Sequence, residues 1–501
     1  MLAVVRKTLH ISRTLAASLL LTLLCACSFY DYSELDIPTN IANGNQYINL
    51  SIVVSTGAEG VTRAEGDPTP KGGEDGDGRE IGLDRENEVT GITLMLYKDD
   101  GGINTSSEET TLSFIAYYPV TLVSRPGEEA NTEATYTYTT GNRSLENSGL
   151  KLNEEYHAIV VANADLTSKF TTSSKVTDVR DHLMTEIYTG TGIGADATHF
   201  VMSSESDDYT INFTKPDNKE TTTNGETYFY FNKGIIIERL AARVDFWTKG
   251  ATYNAERKGY EYEVTGGSKD KFVLTAVTPF NLYNNQTEEY LIKRLGNSEG
   301  SKIEYLLEEP ANYNNNQDNQ EIYVLDPYTL NKSTIPTPLY DSPLSAIIID
   351  NSDKKMEMST FQEGGKYKDA RYTTANEDNL IVCYPKENTL LKDCPLYDYA
   401  TGLCIEGDYY KNGERTHYTY YGYLRHQGEQ TEPHTYPIYE AKDLDKTEPS
   451  EFPMNFGVVR NNIYRISIDG ITEKQKDETP EIKLQIKVKK WDTFTHSTIY
   501  M

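Results

Sequence analysis

Three observations predict an all-β chain: apolar and polar residues alternate at period two, Gly, Asn, Asp and Ser clusters break the alternation, and tyrosines number 38. A tyrosine ring is amphipathic and packs well on a half-buried pleated face. Short strands separated by turn signals predict β-sandwiches or barrels with few short helices, and two tandem sandwiches of Greek-key type are the expected form. The 501 residues, 37% hydrophobic and 25% charged, can fill two or three cores. One composition break divides the chain into two tandem sandwiches.

Residues 1–26 read as an export signal and stand outside the fold. Arg6, Lys7 and Arg13 supply positive charge, and LAASLLLTLLCA (15–26) is an apolar run too short to cross a bilayer as a helix. The run ends in Leu24-Cys25-Ala26-Cys27, which resembles a bacterial lipobox with Cys27 as the lipidated residue. An ordinary signal peptide with incidental cysteines is the weaker reading.

The first strand is YINLSIVV (47–54), with Ile48, Leu50, Ile52 and Val54 on one face. A polar, Gly-rich stretch follows, STGAEGVTRAEGDP (55–68) and then GGEDGDGRE (72–80). Glu74, Asp75 and Asp77 could hold calcium, but the loop lacks the closing bidentate Glu of an EF-hand, so a solvated linker is the better reading. Further strands are expected at 91–97, 112–122, 156–164, 234–247, 271–280, 379–385 and 462–471. The best helix candidate is TDVRDHLMTEIY (177–188), capped by Thr177, with Val179, Leu183 and Ile187 one turn apart. A Thr-rich run gives way to a long apolar strand around 217–234, which puts the domain boundary near residue 232. In the second half NYNNNQDNQE (312–321) reads as a solvated insertion.

At the carboxy-terminal end, EIKLQIKVKKW (481–491) places Ile482, Leu484, Ile486 and Val488 on one face, before Trp491. TEKQKDETP (472–480), in front of it, would reach roughly 30 Å if extended. The segment could therefore serve a neighbouring molecule or close its own sandwich. The pattern favours neither.

The net charge of −28 repels phosphate backbones and argues against nucleic-acid binding. The eight histidines show no HExxH or paired-ligand spacing, and no C-x-x-C is present, so no metal or cofactor is expected. G-x-S-x-G, P-loop and dinucleotide motifs are absent, and nothing calls for an enzyme. With Cys25 in the signal and Cys27 lipidated, three cysteines remain. Cys394 and Cys404 could close a hairpin disulfide, leaving Cys383 as a buried thiol.

Several segments together resemble the fimbrillins of the Bacteroidales, subunits of type V pili, and above all the stalk subunit of short fimbriae. They are the lipobox at Cys27, a strand followed by TRAEGD (62–67), IERLAARVDF (237–246), GVVRNNIYRISIDGI (457–471) and the terminal KVKKWDTF (487–494). The resemblance implies tandem transthyretin-like sandwiches spanning 64–232 and 233–471, with a spacer and donor strand over 472–501. It implies export as a palmitoylated outer-membrane lipoprotein and cutting by an arginine-specific protease between Arg63 and Ala64. Arg79 and Arg85 are alternative sites in the same polar stretch. Loss of the propeptide, 27–63, would remove the lipid and the first strand (Ile48, Leu50, Ile52, Val54). Another subunit's donor strand, carrying Ile482, Leu484, Ile486, Val488 and Trp491, would then fill the groove. The implied partners are further copies of the chain, anchor and tip subunits, the protease, and a host or bacterial receptor for adhesion and colonisation. Two rival readings are a tip adhesin of the same pilus and a membrane-retained lipoprotein that binds glycans or host ligands.

Overall fold

The structure is a computed structural model. It describes residues 46–55, 79–98, 107–124, 135–144, 148–151, 154–204, 209–212, 218–222, 225–230, 237–266, 270–280, 288–299, 302–305, 322–324, 326–327, 354–363, 368, 378–388, 400–424, 434–437, 456–474, 479–492 and 494–496.

In chain order the first strands are β1 (Gln46–Ser55), β2 (Arg79–Ile81), β3 (Gly91–Tyr97), β4 (Leu112–Pro119), β5 (Thr121–Ser124), β6 (Thr135–Ser144) and β7 (Glu155–Ala162). Short ones follow: β8 (Leu183–Met184), β9 (Met202–Ser204), β10 (Thr210–Asn212), β11 (Asn218–Thr221), β12 (Thr227–Tyr230) and β13 (Ile237–Arg239). The second half opens with β14 (Arg243–Trp247), β15 (Thr252–Asn254), β16 (Gly259–Glu263), β17 (Lys271–Phe280), β18 (Glu289–Tyr290), β19 (Leu295–Glu299), β20 (Lys302–Tyr305) and β21 (Ile322–Val324). It closes with β22 (Met356–Glu357), β23 (Asn379–Cys383), β24 (Gly402–Lys411), β25 (Glu414–Tyr423), β26 (His434–Pro437), β27 (Asn462–Glu473), β28 (Pro480–Asp492) and β29 (Phe494–His496). Helices are short: α1 (Asp84–Asn87), α2 (Val176–Arg180) and α3 (Met358–Glu363). The fold is all-β, as the alternation predicts.

Four six-stranded sheets carry the architecture. The first has the order β11-β12-β1-β6-β5, with β29 also on β1; the second has β13-β9-β7-β3-β4, with β10 on β7. The first hydrophobic core gathers Ile92, Leu94 and Leu96 of β3 with Ile159 and Val161 of β7, and includes Phe229 of β12. The third sheet is β2-β28-β27-β14-β23, with β26 on β28, and the fourth is β15-β16-β17-β24-β25, with β22 on β17. Between these two sheets Val244, Phe246, Leu380, Ile466 and Ile468 meet Phe272, Leu274, Leu403 and Ile405 in a second core. Each such aliphatic side chain, fully buried, contributes roughly 1.5–3 kcal/mol of transfer free energy.

Two apolar runs that read as single strands are divided. The 112–122 run changes sheets at Val120: β4 pairs with β3, β5 with β6. The 234–247 run likewise splits into β13, paired with β9, and β14, paired with β23 and in parallel with β27. Leu240 and Ala241 belong to the first core and Ala242 to the second. The small Ala241-Ala242 step leaves room for close backbone crossing: Ala242 N–H donates to Pro385 O at 2.9 Å, and Asn461 N–H to Ala241 O at 2.8 Å. The changeover thus falls within the apolar run, beyond residue 232. The expected helix over 177–188 shrinks to α2, because Leu183 enters β8 and pairs with Tyr290. Its N-cap position is Lys175, whose N–H donates to the Asp178 carboxylate at 3.0 Å, and Thr177 lies inside the helix.

Candidate assembly site

β1 lies inside the first sheet. On one side β6 runs antiparallel along its whole length, from Tyr47↔Ser144 to Ser55↔Thr135. Between Asn49↔Asn142 and Ser51↔Thr139 the extra residue is on β6, so the alternation of β1 continues unbroken past Leu50. The other side is shared. β12 pairs in parallel with Gln46–Ile48, and β29 pairs antiparallel with Val53–Ser55. Tyr47 stacks on Tyr228 at 5.0 Å and its hydroxyl donates to Glu226 Oε1 at 3.3 Å. Ile48 and Phe229 are opposite each other in the ladder, and Phe229 is buried. A strand held on both edges would leave two rows of unpaired backbone groups if it were lost.

The carboxy-terminal segment corrects the expectation for residues 472–491. Lys474 N–H, just past β27, donates to Thr479 O, just before β28, at 2.9 Å. β28 returns antiparallel along β27, from Glu473↔Pro480 to Asn462↔Lys490. Ile482, Leu484 and Ile486 are buried in this chain's own second core. Val488 is opposite Tyr464, and Trp491 pairs with Glu80 of β2. The strand therefore closes its own sandwich, and the reason is register: Ile471, Ile468 and Ile466 of β27 lie opposite Ile482, Leu484 and Ile486 on the buried face. Only the chain past Asp492 leaves that sheet, as β29, and it pairs with β1.

A separate buried ionic network joins α1 to β13, β14, β23 and β27. Arg239, Arg243, Arg460 and Glu86 are fully buried. Arg243 donates from Nε and Nη2 to the two oxygens of Asp245 at 2.7 and 2.9 Å, and from Nη1 to Glu86 at 3.2 Å. Arg465 adds bonds to Asn379 Oδ1 at 3.0 Å and Asp245 Oδ2 at 3.3 Å. Arg239 Nε donates to Glu86 O at 2.9 Å and its Nη2 to Asn87 Oδ1. Tyr384 donates its hydroxyl proton to Glu86. Burial alone would push the Glu86 carboxyl up, but Arg243, Tyr384 and Arg239 together hold it below the usual carboxylate range.

A second cluster has Arg460 Nη2 between Glu289 at 2.7 Å and Glu387 at 2.8 Å, while Glu387 N–H donates to Glu289 Oε2 at 2.6 Å. Burial, then the adjacent Glu387 carboxylate, pushes Glu289 well above the usual range, against the opposing pull of Arg460. The sequence reading passed over these arginines because they sit singly within apolar runs, IERLAARVDF and VVRNNIYRI. Charge inside a strand that is otherwise apolar on both faces is the signal that could have found them, since such a residue is buried and must be paired.

The remaining expected sites separate cleanly. Cys27, Arg63, Ala64 and Cys394 lie outside the described residues, and so do the side chains of Ile48, Leu50, Ile52, Val54, Val488 and Trp491. Cys404 is a free, buried thiol on β24, and its expected partner, Cys394, lies outside the described residues. It sits inside the sheet facing the Tyr421 hydroxyl, and burial, with Glu406 adding, pushes it up to about 12. Cys383 is a buried free thiol, also pushed up by burial. Among the described residues no group of three or more His, Cys, Asp or Glu is placed to hold a metal ion. His417 in β25 instead meets Asp408 at 3.0 Å, and Tyr418 stacks on Tyr420 at 6.0 Å, so this aromatic stretch is strand packing.

No family model and no curated protein matches the chain. Among solved structures it is similar to a "putative cell adhesion protein" from Bacteroides eggerthii, at 10% identity over 91% of this chain and 98% of that one, with a TM-score of 0.29. It is also similar to a protein described in the same words from Bacteroides fragilis, at 10% identity over 88% and 96% of the two chains, with a TM-score of 0.25.

Proposed function

We propose that the protein is a structural subunit of an adhesive fibre on the cell surface, built by strand exchange at the position β1 occupies. The observation that carries this reading is the double-sided pairing of β1 by β6 on one edge and β12 with β29 on the other. The precursor is exported as an outer-membrane lipoprotein anchored at Cys27, and β1 fills the slot in each newly made subunit. Cutting at Arg63–Ala64 releases lipid and strand together and opens the slot. A strand from the next subunit then enters by β-augmentation. Each large apolar side chain that the entering strand buries contributes roughly 1.5–3 kcal/mol before ordering costs. Ladder hydrogen bonds add about 1 kcal/mol net apiece.

The donor is the chain past Asp492. β28 serves its own core, and withdrawing it would expose Ile482, Leu484 and Ile486. β29 supports this assignment, because the same terminal residues already make strand pairs in the first sheet.

Amino-terminal sequencing of surface material tests the reading, with a mature end at Ala64 and ladders of oligomers that resist mild denaturation as the expected result. Arg63→Ala should abolish both. A mature protein that is lipidated, monomeric and begins at Cys27 would instead support the membrane-retained alternative.

A further inference from the structure

The segment that follows the polar stretch after β1 is unusually well fastened for so short a piece of chain. β2 runs parallel to the end of β28, Arg79 opposite Lys490 and Ile81 opposite Asp492. α1 then plugs the junction between the two cores. The Glu86 side chain reaches back to accept from Leu83 N–H at 2.7 Å, and Asn87 Nδ2 donates to Gly82 O at 3.0 Å. Glu86 is held from outside the segment by Arg243 and Tyr384, and Arg239 grips both the Glu86 carbonyl and the Asn87 side chain. Glu86 and Asn87 are 0% and 1% exposed. Arg85 sits within α1, with Nε and Nη2 buried.

A protease binds its substrate as an extended strand with the residue before the scissile bond inserted in a pocket. Arg79 cannot meet that demand while its backbone is in the ladder, nor Arg85 while it is helical with Nε and Nη2 of its guanidinium buried. Opening the Arg85–Glu86 bond requires Glu86 to leave Arg239 and Arg243, which takes a buried carboxylate away from two buried cations. We infer that residues 79–88 form a latch, keyed by Glu86, which withholds Arg79 and Arg85 from cleavage. Any arginine-specific cut that frees β1 must then fall before Arg79, and between residues 56 and 78 the sequence holds a single arginine, Arg63. The latch itself stands on geometry; its role in choosing the processing bond rests on the proposed function.

The test is limited digestion of the full-length protein with an arginine-specific endoprotease, reading new amino termini by sequencing and mass spectrometry. The wild type should yield no ends at Glu80 or Glu86 under native conditions. Glu86→Ala should open both bonds about a hundredfold faster. Leu274→Ala, in the second core away from the latch, should lower thermal stability and leave both bonds protected. If Glu86→Ala fails to fold, Tyr384→Phe removes one hydroxyl bond to Glu86, keeps the ring, and should raise cutting at the same two bonds several-fold. The latch is overturned if wild-type protein is cut at Arg79 or Arg85 as fast as at Arg63, or if the control variant opens these bonds equally. The fibre reading fails separately, when polymers form without any cut before Arg79.

Discussion

At the scale of the residue, the decisive groups are charges that the fold takes out of water. Asp245 receives Arg243 through both oxygens and also Arg465 and Asn379, all buried. Removing one partner of such a set leaves the others unpaired in a dry site. Asp245→Ala should therefore lower unfolding stability by about 3–5 kcal/mol in urea titrations, more than its lost contacts alone would suggest. Glu289 makes a pH-dependent contribution of opposite character. Its native carboxyl is raised above the ordinary 4.5, so the folded protein binds the proton more tightly than the unfolded chain. This term stabilises the fold below about pH 4.5 and is lost as pH rises towards the native value. Glu387 and Arg460 act directly on Glu289, which in turn acts on Lys386, while Glu238 acts on Arg460 and Glu288 on Lys386. Glu289→Gln should flatten the fall in stability on the alkaline side of pH 4.5, as read by urea midpoints at successive pH values.

At the scale of the element, β28 shows how far a strand pattern can be read. Strict alternation from Ile482 to Val488 announces one apolar face, and three of those side chains are buried. The pattern does not say which sheet receives the face, and it turns out to be the chain's own. Leu484→Ala should cost about 2–5 kcal/mol, as expected for a filled core position. Deleting residues 493–501 should leave the folded body intact and, on the proposed function, abolish polymerisation. Deletion from Pro480 onwards should unfold the second sandwich, a contrast visible in thermal melts. β13 and β14 teach a related lesson. The run GIIIERLAARVDFW has the composition of one long strand, yet it changes sheet at Leu240–Ala242. Alternation is a local signal, whereas a sheet change is set by what the backbone meets on either side.

At the scale of the molecule, the two cores meet at a junction lined with paired charge. Ile381, Tyr384 and Ile463, from strands of the second half or beside them, complete the first core. A chain carrying a net charge of −28 repels its own copies. Subunit association should therefore accelerate as salt rises towards about 0.15 M, where the Debye length is about 8 Å. Polymer growth followed by light scattering at graded ionic strength checks this.

The all-β class and most strands of the two cores are legible in the sequence alone. These depend on period-two alternation and on apolar content, which are local properties. Only the folded arrangement shows that β28 closes its own sandwich and that β1 has neighbours on both edges. It also decided that single arginines in apolar runs converge on Glu86, Asp245 and Glu289. Pairing partners lie up to hundreds of residues apart, as Glu86 and Tyr384 do, and no spacing along the chain encodes which distant charge will satisfy a buried one.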